Sequence, residues 1–152
     1  MIKNELNRPI AIVDIDGTIA KVGPRSRFLD KCPVDWQAFY EDAFNDEPIN
    51  NVCYFVNLLR QNCDIFFCTS RREVVRDKTQ QWLKKLLGME PSEYELIMRQ
   101  AGDDRPDYIS KIDNFILHTT QDERSRVMCV LEDSMTVAWH WRQQGFTTYQ
   151  VQ

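Results

Sequence analysis

Near the start of this 152-residue chain, Ile10-Ala11-Ile12-Val13 runs straight into Asp14-Ile15-Asp16-Gly17-Thr18. Four uninterrupted apolar residues predict a strand buried on both faces, the kind found in parallel sheets. The two carboxylates stand where that strand gives way to a turn. Residues two apart on an extended segment point the same way, so Asp14 and Asp16 address one place. Gly17 lets the backbone turn sharply and approach a ligand. Like charges side by side are costly unless a cation or a shared proton relieves them. The pattern therefore predicts a Mg²⁺ site with a nucleophilic carboxylate. A solvated acidic turn that caps a helix is the competing reading.

Further strands are predicted over residues 64–67, 96–98, 127–131 and 147–151, mostly as apolar runs. Helical patterns alternate with them. Pro48 at a first turn opens residues 49–61, with Val52, Phe55, Val56 and Leu59 on one stripe. Residues 73–87 carry Val75, Trp82, Leu83, Leu86 and Leu87, and Gly88 closes them. Residues 109–117 turn Ile112, Phe115 and Ile116 inward. Ser134 caps residues 135–144, and Gly145 ends them. This alternation predicts a single domain: an α/β, doubly wound (Rossmann-like) five-stranded parallel sheet. Residues 20–47 interrupt the pattern after the first strand. Trp36, Phe39 and Tyr40 have helical spacing there, which predicts a small helical cap insertion, either packed on the sheet edge or serving as a lid over the site.

Composition narrows the class. A hydrophobic fraction of 43% supplies a core, and no run approaches the ~20 apolar residues of a membrane span. Residues 1–8 are polar and lack the apolar centre of a signal peptide, so a cytoplasmic protein is expected. Five cysteines, an odd number without a C-x-x-C pair, argue against a disulfide framework or a zinc site. Cys63, Cys68 and Cys129 read as buried thiols, and His118 and His140 are isolated. A net charge of −4 disfavours a broad nucleic-acid surface. Twelve arginines against seven lysines suggest a local phosphate pocket instead.

Ligands of a doubly wound sheet bind beyond the carboxyl ends of its strands. Chemistry recurs there: Asp14 and Asp16 after the first strand, Thr69, Ser70 and Arg71 after the second, Glu132, Asp133 and Ser134 after the fourth, with Lys111 at the opening of a helix. Each has a plainer reading. Thr69 and Ser70 could cap the following helix, Lys111 could be exposed, and Glu132-Asp133 could be a loop turn.

Taken in order, these residues resemble the four motifs of the haloacid dehalogenase superfamily: Asp14-Ile15-Asp16-Gly17-Thr18, Thr69, Lys111 and Glu132-Asp133. The resemblance narrows to the 3′-phosphatase domain of bacteriophage polynucleotide kinases through Arg25, Thr69-Ser70-Arg71, the stretch from Met98 to Asp107, Trp141-Arg142 and Gln150-Val151. The chain departs from it with Thr-Ser-Arg in place of Ser-Gly-Arg, and with Glu132 in place of Asp. It has no Gly-x-x-x-x-Gly-Lys-[Ser/Thr] loop, so no kinase domain is expected in it.

The resemblance implies a Mg²⁺-dependent phosphomonoesterase acting through an aspartyl-phosphate. Asp14 would be the nucleophile and Asp16 the general acid and base. Thr69 and Lys111 would hold the phosphoryl group. Asp14, the Asp16 carbonyl and Asp133 would bind Mg²⁺, with Glu132 behind them or acting through water. Arg25, Ser70, Arg71 and Arg99 would bind substrate, while Asp103, Arg105 and Asp107 would either contact it or brace their loop. The implied substrate is a 3′-phosphate on a nucleic-acid end or nucleotide, and the implied source is phage or bacterial. Two alternatives stand beside this: a nucleotidase for free deoxynucleoside monophosphates, and a phosphate-binding module without catalysis.

Overall fold

The computed structural model describes residues 7–151, so most of the polar segment at 1–8 lies outside the described residues. In chain order the elements are β1 (Ile10–Val13), β2 (Ala20–Lys21), α1 (Trp36–Glu41), β3 (Glu47–Pro48), α2 (Asn50–Leu59), β4 (Asp64–Arg72), α3 (Arg76–Leu87), β5 (Tyr94–Arg99), α4 (Asp107–His118), α5 (Gln121–Ser125), β6 (Val127–Glu132), α6 (Met135–Gln143) and β7 (Thr148–Gln150). Short 3₁₀ turns lie between several of them. Five strands form one sheet in the order β5-β4-β1-β6-β7, and every pairing in it is parallel. Strand order reverses at β1, which puts its carboxyl end at the crevice where such sheets bind ligands.

Alternation along β1 explains why both faces are covered. Ala11 and Val13 join a cluster with Val52 and Val56 of α2 and with Trp82 and Leu83 of α3. Ile10 and Ile12 face the other way, toward Ile112 and Phe115 of α4 and Val137 and Trp141 of α6. Each valine, leucine, isoleucine or phenylalanine among them contributes about 1.5–3 kcal/mol by leaving water. Ser134 caps α6 by accepting from the Val137 N–H, and Gly88 ends α3 with φ +63°. No helix among the described residues is long and apolar enough to cross a membrane.

The structure departs from the sequence pattern at specific places. β4 continues five residues beyond the expected 64–67, through Thr69, Ser70 and Arg71, with an irregular register between Cys68 and Arg72. Thr69 and Ser70 therefore cap no helix. A 3₁₀ turn, Glu73–Val75, precedes α3, and neither Arg72 nor Val75 makes a side-chain cap bond. Pro48 opens no helix but sits in β3, opposite Ala20; a two-residue edge pairing tolerates its missing N–H. Phe55 and Ile116 are exposed rather than inward. α5, headed by a Thr120–Glu123 capping box, went unpredicted.

The insertion leaves the sheet through β2 and returns through β3, an antiparallel two-strand stalk. It carries α1 between 3₁₀ turns at Gly23–Phe28 and Asp42–Asn45.

Candidate active site

The turn after β1 is built around one carbonyl: Ile15 O accepts the N–H groups of Thr18, Ile19 and Ala20. Gly17 takes φ +83°, and a Cβ there would stand 2.2 Å from Asp133 Oδ2, so only glycine admits that carboxylate. The Thr18 hydroxyl lies 2.9 Å from Asp14 Oδ2 and 3.3 Å from Asp133 Oδ1, and it accepts the Asp133 N–H. One buried threonine thus ties the end of β1 to the end of β6.

Lys111 reaches in from α4. Its Nζ is 2.8 Å from Asp14 Oδ1 and 2.9 Å from Glu132 Oε2, with all three side chains buried. Burial would lower the lysine's proton affinity, but Asp14 and Glu132 raise it well above the usual range, so it stays an ammonium. Asp14 is pushed up by burial and by Glu132, against the pull of Lys111. Asp14, Glu132 and Asp133 each offer an oxygen within 4.8 Å of the others. With all three carboxyls ionised, the cluster carries two negative charges beyond the one ammonium, which is why burial and mutual repulsion push Asp14 up. A divalent cation with a preference for hard oxygen ligands fits that surplus and that donor set.

Asp16 is held differently. Arg71 grips it through Nε at 3.0 Å and Nη2 at 2.6 Å, and Arg25 Nη2 adds a bond of 2.5 Å. Both guanidiniums also bond Asp46, at 2.9 Å from Arg25 and 3.2 Å from Arg71. Trp82 Nε1 fixes the Asp46 carbonyl, and the Phe39 ring lies 4.3 Å from the Arg25 guanidinium. Burial opposes ionisation of Asp16, but Arg71 and then Arg25 outweigh it and hold the carboxyl below its usual range.

This corrects the expectation for Arg25 and Arg71 as substrate ligands. Both are wholly buried, and their donors are spent on Asp16 and Asp46, with the remaining Nη1 groups on the Phe39 carbonyl and the Thr79 hydroxyl. They set the position and charge of Asp16. Arg99 does line the cleft, but its guanidinium donates to the Asp103 and Arg105 carbonyls and to Asp107. Asp103, Arg105, Ser110 and Asp113 extend this into a network that braces the loop. Thr69 is buried at the cleft and accepts the Arg71 N–H at 3.1 Å. The Ser70 hydroxyl is buried there without a partner among the described residues.

These groups open onto a cleft of about 570 Å³, with Asp14, Asp16, Thr69 and Lys111 among its lining and Trp36 and Tyr40 of the cap on its wall. Asp46, Thr18 and Arg72 had no role in the sequence reading. Asp46 sits in the insertion with no motif around it. Thr18 lies inside the quoted stretch, but only the fold brings Asp133 to it. His118 and His140 each turn Nδ1 to a carbonyl of their own helix, and the five cysteines are free thiols.

Comparison with known proteins agrees with this geometry. No curated protein matches the chain. Among solved structures, chains of two Pnkp1/Rnl/Hen1 complexes, one described as an RNA repair complex, superpose with TM-scores of 0.78 and 0.77 at 22% and 23% identity, each over 95% of this chain. This chain spans only 42% and 46% of theirs. The HAD-hydrolase YfnB from Bacillus subtilis, bound to magnesium, matches with a TM-score of 0.65 at 10% identity, over 95% of this chain and 89% of its own. The family model for the polynucleotide kinase PNKP phosphatase domain matches residues 8–152. With the fold, the carboxylate cluster and this match in agreement, the chain belongs to the PNKP phosphatase-domain family and is a phosphatase of the haloacid dehalogenase superfamily.

Proposed function

We propose that the chain is a Mg²⁺-dependent phosphomonoesterase that forms an aspartyl-phosphate on Asp14 and removes 3′-phosphates from nucleic-acid ends or nucleotides. The observation that carries this reading is the buried Asp14 at the cleft, with Lys111 at 2.8 Å and two more carboxylates beside it. Asp14, Asp133 and the Asp16 carbonyl would hold the ion, with Glu132 behind them. When bound, the metal screens the repulsion between an anionic carboxylate and an anionic phosphate.

Asp14 attacks phosphorus, forming the carboxylate–phosphorus bond as the bond to the leaving oxygen breaks. Asp16, protonated from solvent once the phosphate sits beside it, gives that proton to the alkoxide, then takes one from the water that releases inorganic phosphate and frees Asp14. The arginine clamp keeps Asp16 ionised in the free enzyme, ready for the second role. An entering phosphate brings negative charge beside it, which raises its proton affinity for the first. Lys111 and the Thr69 hydroxyl stabilise the phosphoryl oxygens.

Family membership and the likeness to chains of an RNA repair complex support a nucleic-acid 3′ end as substrate. Four buried free thiols suit a reducing cytoplasm. The test is phosphate release with Mg²⁺ from a 3′-phosphorylated oligonucleotide, beside 3′- and 5′-mononucleotides, with Asp14→Asn as the blank. Release from the oligonucleotide is expected. Release from mononucleotides alone would favour a nucleotidase, and binding without turnover would favour the non-catalytic module.

A further inference from the structure

The arginines at the cleft are not equivalent. Arg25 and Arg71 are buried and committed to Asp16 and Asp46. Arg99 and Arg105 are committed to the loop that carries Asp103 and Asp107. Arg72, at the end of β4, lines the cleft, and a third of its side chain is exposed. Its guanidinium donates at 2.7 Å to Asp104, which is 78% exposed, and lies beside the Tyr40 hydroxyl. An ion pair in that setting is weak, so Asp104 yields readily to another anion.

Trp36 stands on the same cleft. Its indole lies nearly parallel to Tyr40, at 22° and 6.1 Å, and edge-on to Phe39, yet it remains 50% exposed. An indole braced by two rings and still half exposed offers a flat apolar surface to the cleft. Tyr40 and Arg72 line the same cleft as Trp36, so the stacked pair and Arg72 share one wall.

A 3′-phosphorylated strand end has two recognisable groups beyond its reacting phosphorus: a flat terminal base, and the 5′-side phosphodiester, which a nucleoside 3′,5′-bisphosphate mimics with its 5′-phosphate. We propose that this wall is the leaving-group subsite, in which Trp36 stacks the terminal base and Arg72 binds the 5′-side phosphate. The assignment rests on the phosphatase reading given above. It gives the cap insertion a task, because Trp36 lies on α1.

The test compares three substrates: a nucleoside 3′,5′-bisphosphate, the matching 3′-monophosphate, and acetyl phosphate, which carries neither ring nor second anion. Arg72→Ala should lower the bisphosphate-to-monophosphate ratio of kcat/KM roughly tenfold or more, the size of one charge-assisted hydrogen bond. Trp36→Ala should lower the kcat/KM of both nucleotides relative to acetyl phosphate by roughly tenfold, as loss of one base stack implies. Trp36→Phe should recover most of that ratio. Unchanged ratios in both alanine variants, with normal wild-type turnover of nucleotides, overturn the subsite alone. Wild-type turnover of acetyl phosphate with none of any nucleoside 3′-phosphate overturns the functional reading and the subsite together.

Discussion

Gly17→Ala separates folding from chemistry at this site. Residue 17 has φ +83°, where an L side chain costs about 1–2 kcal/mol. For a chain of this length that lowers Tm by about 2–8 °C. The larger effect is steric. The new Cβ would meet Asp133 Oδ2 at 2.2 Å and Cγ at 2.6 Å, so the carboxylate must retreat by about 1 Å to regain ordinary contact. Asp133 belongs to the three-carboxylate cluster, and a misplacement of that size costs roughly 100-fold in rate. The assay pairs steady-state phosphate release with thermal unfolding followed by circular dichroism. The variant should remain folded, lose about two orders of magnitude in kcat, and lose most of the Tm rise that Mg²⁺ gives the wild type by mass action. A folded variant within threefold of wild-type kcat would refute the role given to Asp133 and to the turn.

Asp46→Ala leaves two buried guanidiniums with Asp16 as their one carboxylate, so urea unfolding should show a loss of about 3–5 kcal/mol. Its kcat should fall as well, and an unchanged urea midpoint would contradict the clamp. Lys111→Met removes the ammonium that bridges Asp14 and Glu132, so the metal-free variant should unfold earlier than wild type while Mg²⁺ raises its Tm by more; equal Mg²⁺ shifts would show that Lys111 does not offset the carboxylate charge. Burial holds the Cys68 thiol at about 12 and the Cys129 thiol at about 11, up from 9.0. Both stay neutral in the fold while the unfolded chain ionises, so this stability is intact below about pH 9 and lost as pH rises toward 12. Urea midpoints should fall over that range, and a thiol reagent at pH 8 should modify Cys32 alone in the native protein.

Residues 10–18 made the central strand and the turn legible because an apolar run followed by paired acids has few physical solutions. Lys111 and Glu132-Asp133 were legible as chemistry at strand and helix ends, and the structure joins them within hydrogen-bond reach of Asp14 or beside it. The end of β4 was hidden because Thr69, Ser70, Arg71 and Arg72 are polar; the site itself, not the sheet's core, dictates them. Arg25 and Arg71 were legible as arginines near the cleft but not in direction. Arginine is usually exposed, and only the return of the chain through β3 brings Asp46 to pair with both. Pro48 misled for a related reason: a proline before a helical pattern reads as a first turn, whereas β2, 28 residues earlier, supplies its partner here.

The most direct test of the account is to trap the phosphoryl-enzyme. Sodium borohydride reduces an aspartyl-phosphate to homoserine, which mass spectrometry of the peptide spanning residues 10–18 would locate. Homoserine is expected at position 14, formed only when Mg²⁺ and a 3′-phosphorylated oligonucleotide are both present. Active enzyme with an unmodified Asp14, or an Asp14→Asn variant that keeps most of its activity, would contradict it.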